Sequence, residues 1–250
     1  MDTINIRGRV FTIGDIHGRC DTLKEVLKLA GFENLVDTLV CLGDICDGGT
    51  QTKECVDELL KIKNLVFVLG NHDKFFIDHL SSGWDGELWL QQGGANTLRS
   101  YGAKVKLAKL PLRRWDEHGL TKIDTTDMIV PASHQDFFNR AIPYYVWKRK
   151  LFVHGGFNPD LPIEQQDVET LIWDRMLIER CRKGFLTNKY DEIFVGHTTT
   201  QVIMNDVEHT TPVRFGQLFC VDCGAGWSGK LTLMDVMTKQ YWQSQIQVPA

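Results

Sequence analysis

The sequence predicts an α/β fold, and three observations lead there. Short apolar or β-branched runs recur along the chain, and each ends in a small polar block: VFTI before Gly14, TLVCL before Gly43, LVFVL before Gly70, KLFV before His154 and IFV before Gly196. Runs of this kind read as buried strands, with the polar block as the loop at the strand end. Stretches with apolar residues at helical spacing alternate with the first three runs. That strand–helix–strand order argues for parallel strands joined by right-handed crossovers.

Taken in order, Leu23, Val26, Leu27 and Ala30 recur at helical spacing and stop at Gly31, which predicts a first helix. A second helix is expected over 50–63, where Cys55, Val56, Leu59 and Leu60 are apolar, and a third starts within 73–80. Residues 81–139 lack a clean period and are expected to be mostly helical, a cap or flank beside the polar blocks. Within them, Gly93 and Gly94 fit either a turn joining two helices or a close backbone approach to the site. The run Lys104, Lys106, Lys109, Arg113, Arg114 alternates with apolar residues as a solvated strand face does, a docking surface for an acidic substrate being the minority reading. PYYVWKRKLFV reads as two strands around a Lys-Arg-Lys turn, and QLFCVDCGAG, KLTLMDV and QYWQSQI read as closing antiparallel strands. With no internal repeat or linker, residues 1–250 are expected to form one domain, with roughly 81–140 as its flanking region.

Composition bounds the function. The chain has 250 residues, 43% of them apolar, which is ample for a core. A net charge of −4 offers no attraction to nucleic acid or to an anionic membrane. No stretch approaches the roughly 18 apolar residues of a membrane span. MDTINIRGRVF lacks the apolar region of a signal peptide, so a cytoplasmic protein is expected, with its seven cysteines as reduced thiols. Cys220-x-x-Cys223, without a second pair, reads as a strand end rather than a zinc or redox motif. His79, His118, His134 and His209 lie outside the polar blocks and read as surface or locally hydrogen-bonded residues.

The blocks themselves are GDIHG (14–18), GDICDGG (43–49), GNHD (70–73), HGG (154–156) and GHT (196–198). They deliver Asp, His and Asn to one sheet edge, a cluster that a core does not tolerate unpaired. Asp15 and His17 alternate by two and share one side of an extended strand end. Asp44, Asn71, His154 and His197 add further donors, and no Cys belongs to the set. Carboxylate, amide and imidazole ligands suit Mn, Fe, Zn or Mg. Six ligands exceed what one tetrahedral zinc needs, whereas two metals sharing Asp44 use them all.

In order and content these blocks resemble the calcineurin-like metallophosphoesterases, and within them the phosphoprotein phosphatases, whose pattern is G-D-x-H-G, G-D-x-x-D-R-G, G-N-H-E, H-G-G and a late G-H-T. The likeness runs from about residue 9 to 242. It is nearest the bacterial and phage members, to judge from LIWDR (171–175) and WLQQGGANTLRSYG (89–102). The resemblance implies two mixed β-sheets packed as a sandwich flanked by helices. It implies a first metal on Asp15, His17 and Asp44, and a second on Asp44, Asn71, His154 and His197, manganese foremost. It makes His72 the general acid and Asp47 the group that fixes its ring, with Arg175 and Asn71 toward the substrate phosphate.

The implied activity is attack of a metal-activated hydroxide on a phosphomonoester, with a phosphoprotein or small phosphoester as substrate and serine/threonine phosphoproteins first. The alternatives are hydrolysis of a symmetrical dinucleoside polyphosphate, which a base-stacking Trp84, Trp89 or Trp115 would favour, and a non-catalytic phosphopeptide-binding module. Three positions depart from the pattern. Gly48 and Leu69 stand where many members have Arg, leaving Arg175, Lys74, Arg19 or Arg99 to grip phosphate, and Asp73 replaces Glu.

Overall fold

The computed structural model describes residues 6, 8–107 and 121–245. Its first half runs β1 (Val10–Ile13), α1 (Cys20–Leu29), β2 (Thr38–Cys41), α2 (Thr52–Leu59), β3 (Asn64–Phe67) and α3 (Asn71–Ser82). A flanking segment follows with α4 (Glu87–Trp89), a π-helical turn at Leu90–Gly94, α5 (Ala95–Ser100), the strands β4 (Lys104–Lys106) and β5 (Lys122–Asp124), and α6 (Ala132–Asn139). The second half is β6 (Tyr144–Trp147), β7 (Lys150–Val153), α7 (Val168–Trp173), α8 (Met176–Arg182), β8 (Glu192–Val195), α9 (Thr200–Met204), β9 (Val213–Phe215), β10 (Leu218–Cys220), β11 (Thr232–Asp235) and β12 (Tyr241–Gln243).

Two five-stranded mixed sheets result, ordered β12-β11-β1-β2-β3 and β6-β7-β8-β10-β9, beside the small β4-β5 pair. Strand periodicity explains why they stack. On β1, Phe11 and Ile13 face the helices while Val10 joins the layer between the sheets. On the other sheet, Leu151, Ile193 and Leu218 face outward to α7 and α8, while Phe152, Phe194 and Phe219 face inward. Those three rings, one from each of β7, β8 and β10, form a ladder with successive centroids 5.0 Å apart. Each buried Phe contributes about 2–3 kcal/mol of apolar transfer free energy.

Strand direction positions the site. β1, β2 and β3 are parallel, with Ile13 opposite Cys41 and Cys41 opposite Phe67. β7 and β8 are parallel with Phe152 opposite Phe194. The loops that leave these five strands therefore emerge at matching ends of the two sheets, where binding sites of α/β folds collect.

Two local readings change. The 81–139 stretch is helical in α4, α5 and α6 but also contains the β4-β5 hairpin pairing, whose Lys104 and Lys106 are exposed as a solvated strand face requires. Lys109, Arg113, Arg114, Trp115 and His118 lie outside the described residues. QLFC is not simply antiparallel: β10 runs parallel to β8 and antiparallel to β9, because α9 crosses over before the tight β9-β10 hairpin. β11 and β12 do close the first sheet antiparallel, as expected.

Candidate active site

Each polar block sits at a strand end, and the residues they carry are buried together. Asp15 and His17 follow β1, Asp44 and Asp47 follow β2, and His154 and His197 follow β7 and β8. Asn71, His72 and Asp73 form the first turn of α3, whose N-terminal end favours anions. Backbone strain concentrates here as well. Of the eight non-glycine residues with positive φ among those described, His17, Asp44, Asp47 and His197 belong to this site. Such conformations persist where the surrounding structure over-determines them.

Asp44 lies at the centre. Its Oδ2 is 3.3 Å from His154 Nε2 and 3.8 Å from His17 Nε2. Asp15 Oδ2 is 4.0 Å from His17 Nε2, and Asn71 Oδ1 is 3.0 Å from His154 Nε2. Ligand atoms of Asp44, His154 and His197 fall within 4.8 Å of one another, as do those of His17, Asp44 and His72. The two groups share Asp44. His17 donates Nδ1–H to the Cys46 carbonyl at 2.9 Å and His154 donates to that of Leu42 at 2.7 Å, which turns each Nε2 toward the centre.

The electrostatics fit bound cations. His197 Nε2 is buried with no hydrogen-bond partner among the described residues. Burial pushes the His17 imidazole down to about 4, and burial followed by the neighbouring His154 and Arg175 pushes His197 down to about 2, so both rings are neutral and free to coordinate. Asp15 is raised well above the usual carboxylate range by burial and then by Asp222 and Asp44, a crowding of like charge that a cation would relieve. Two carboxylates, an amide and three imidazoles without a thiolate match divalent ions.

His72 and Asp47 form a pair beside this centre. His72 Nδ1 is 2.5 Å from Asp47 Oδ2. Burial works to lower the His72 imidazole, but Asp44 and then Asp47 outweigh it and raise it to about 9. With Nδ1 committed to Asp47, Nε2 is the ring nitrogen left for another partner. Asp73, fully buried, clamps the loop after β2: it accepts backbone N–H from Asp44 at 2.7 Å, Ile45 at 2.9 Å, Cys46 at 3.2 Å and Gly70 at 3.2 Å. The shorter carboxylate thus keeps a supporting role despite losing a methylene.

A cleft of about 410 Å³ opens over these groups, with Asn71, His72, Arg175, Trp173 and Trp227 on its walls. Arg175 does not pair with Asp174. It donates to Thr198 Oγ1 at 2.7 Å and to the His197 carbonyl at 3.3 Å. It is the single Arg or Lys among the described residues that lines the cleft. Lys74 is paired with Asp78 at 2.7 Å, Arg99 with Asn96 and the Val105 carbonyl, and Leu69 is buried. Trp173 stands edge-on to His197 at 5.6 Å and Trp227 lies 6.4 Å from His17.

Sequence reasoning missed several of these neighbours. Trp227, Asp222 and Gln201 line the cleft, and Trp89 and Thr97 hydrogen-bond Asp47 across 42 and 50 residues of chain. Trp89 is buried and offers no face for a base, while Trp84, partly exposed, stacks on both Trp89 at 5.6 Å and Phe75 at 5.3 Å. Gly93 forms the kink that joins α4 to α5, and Gly93 and Gly94 also sit against the Asp47–Gly48 backbone and the Trp89 ring, so the helix-joining turn makes a close approach as well. His79 and His209 make local bonds, as read from the sequence, whereas His134 departs from that reading: it is buried and bridges Tyr101 and Asp57, which are distant in the chain.

The family model for calcineurin-like phosphoesterases matches residues 8–201. The chain is 24% identical to serine/threonine-protein phosphatase 1 of Salmonella typhimurium over 90% of each protein. It is 41% identical to the symmetrical bis(5'-nucleosyl)-tetraphosphatase of Baumannia cicadellinicola, covering 96% of this chain and 92% of that one. The solved structure of a protein assigned as a diadenosine tetraphosphatase superposes with a TM-score of 0.64 at 16% identity, over 96% of this chain and 94% of the other, a likeness of fold.

Proposed function

This chain belongs to the calcineurin-like phosphoesterase family, and we propose that within it the protein is a two-metal phosphomonoesterase acting on phosphoserine and phosphothreonine in proteins. The observation that carries this reading is the His72–Asp47 pair, 2.5 Å apart, beside the ligand clusters. Serine and threonine alkoxides are poor leaving groups and need a proton, whereas a nucleoside phosphate leaves as a stable anion and needs one far less.

Asp15, His17 and Asp44 would hold one divalent ion, and Asp44, Asn71, His154 and His197 the other, manganese foremost. When bound, such a pair neutralises the phosphate and supplies a nucleophile from water at neutral pH. Arg175, oriented by Thr198, turns its remaining N–H groups to the phosphate oxygens, with Asn71 beside it. It acts without the partner arginines that Gly48 and Leu69 replace. His72 delivers the Nε2 proton to the departing oxygen, and Asp47 holds the ring in the tautomer that can do so. The seven cysteines are free and buried, and no helix of the described residues is long and apolar enough to cross a membrane. A cytoplasmic enzyme working as one catalytic domain, with 81–140 at its flank, is part of the same proposal.

A second reading, hydrolysis of a symmetrical dinucleoside polyphosphate, is favoured by the indoles of Trp173 and Trp227. They are 39% and 51% exposed in the cleft and offer faces for a base. Manganese-dependent turnover of a phosphoserine peptide beside diadenosine tetraphosphate, in wild type and His72→Asn, separates the two. The expected result is preference for the peptide, lost by about 10²–10⁴-fold in the variant. Preference for the dinucleotide with little dependence on His72 would overturn the reading. No turnover of either with metal bound would point to a phosphopeptide-binding module.

A further inference from the structure

Asp47 is held by more than His72. Its Oδ2 also accepts the Trp89 indole N–H at 2.9 Å, and its Oδ1 accepts the Thr97 hydroxyl at 2.7 Å. Thr97 Oγ1 in turn accepts the backbone N–H of Asp47 at 2.8 Å. Asp47, Trp89 and Thr97 are all buried, so no water replaces a lost donor. An indole N–H can donate but never accept. Beside His72 Nδ1–H it therefore stabilises the carboxylate without competing for the imidazole proton.

The flanking segment is built to hold that indole. Trp89 stacks on Trp84 at 5.6 Å, Trp84 on Phe75 at 5.3 Å, and Phe75 stands edge-on to His72 at 6.0 Å. A chain of rings thus returns from the donor of Asp47 to the imidazole that Asp47 orients. Gly94 lies under the Trp89 ring where a Cβ would strike the indole. Gly93, at φ +115°, brings the π-helical turn against the Gly48 amide, where a Cβ would collide with the nitrogen. Asn96 donates to the Gly48 carbonyl at 2.6 Å and completes the docking.

We propose that Trp89, with Thr97, is a positioning residue for proton transfer. The two donors fix the plane of the Asp47 carboxylate, and through it the orientation in which His72 presents Nε2 to the leaving oxygen. This rests on the reading of His72 as the general acid. A ring that merely filled the core would support every substrate equally. A ring that sets the acid matters most where the leaving group needs a proton.

The test uses the manganese-loaded full chain and measures kcat and KM on a phosphoserine peptide and on 4-nitrophenyl phosphate, whose leaving group is stable unprotonated. Trp89→Phe keeps the ring and removes the N–H. Thr97→Val removes the second donor from another side chain, so the test survives if either variant fails to fold, and Thr97→Ser restores the hydroxyl. Partners of this kind typically contribute 10–100-fold, so kcat on the peptide should fall at least about tenfold further than on the aryl ester, with bound metal retained and with recovery in Thr97→Ser. Equal losses on both substrates, or no loss, would overturn the proposal. His72→Asn, run alongside, keeps the two inferences apart. Selective loss in His72→Asn without it in Trp89→Phe and Thr97→Val sinks the positioning role alone, while equal loss in His72→Asn sinks the general-acid reading and this proposal with it.

Discussion

Replacing Asp73 by Asn changes one atom in the clamp that shapes the loop after β2. In the wild type, Oδ2 accepts from Asp44 and Gly70, and Oδ1 from Ile45 and Cys46. The amide is isosteric, so no cavity forms. Whichever way it is turned, its NH₂ faces two backbone donors that lose their acceptor in a site with no solvent access. A buried unsatisfied donor costs about 1–3 kcal/mol, so two cost about 4 kcal/mol. That is a large share of the roughly 5–15 kcal/mol by which proteins are stable. The same clamp holds Asp44 at φ +50°, a conformation that costs about 1–2 kcal/mol for an L-residue. With it loosened, the carboxylate shared by both ligand groups is aimed wrongly. Urea unfolding should show a midpoint lowered by more than about 1 M, and titration with Mn²⁺ should show weaker binding. A loss under about 1 kcal/mol with metal affinity unchanged would refute the reasoning, because it would mean that the four N–H groups find other partners.

Gly93→Ala should cost about 2–4 kcal/mol and depress activity, since the new Cβ meets the Gly48 amide at a φ of +115°. Gly31→Ala, at φ +57° with open space around it, should cost about 1 kcal/mol and serve as the comparison in denaturant unfolding. Equal costs would remove the steric argument. Asp37→Asn should cost about 1–2 kcal/mol, because its carboxylate, largely buried, accepts from the Arg9 and Glu33 amides at 2.9 and 3.0 Å and from the Arg9 guanidinium at 2.7 Å, a partly exposed and screened pair. Burial works to raise this group, but hydrogen bonds from Arg9 and Glu33 outweigh it, and its folded value lies below the usual one. Its contribution is therefore present above the unfolded value near about 4 and is lost as pH falls through the folded one. Wild type and variant should converge in stability on acidification below about pH 4, and a gap that widens there would contradict the assignment.

The fold and the grouping of polar residues were legible in the sequence where local pattern alone determines them. Apolar runs ending in Gly-Asp and Gly-His blocks declare strands and the loops beyond them, because a period of two and a bend that only small residues allow are local properties. Asp15, His17, Asp44, Asn71, His154 and His197, read from those blocks as one donor set, lie near one another in the structure, and His72 and Asp47, paired on the family resemblance, are hydrogen-bonded. What tertiary structure alone decided is everything that depends on two distant stretches meeting. Asp73 could be seen as a carboxylate but not as the acceptor of four amides. Trp89 stood as one of three indoles that could stack on a base and is a buried donor to Asp47, while the exposed indoles of the cleft are Trp173 and Trp227. β10 entered the second sheet parallel to β8, although its composition was no different from that of an antiparallel strand. The physical reason is common to all three. A hydrogen bond or a strand pairing belongs to neighbours in space, and residues 42 or 50 positions apart become neighbours only when the chain between them has packed.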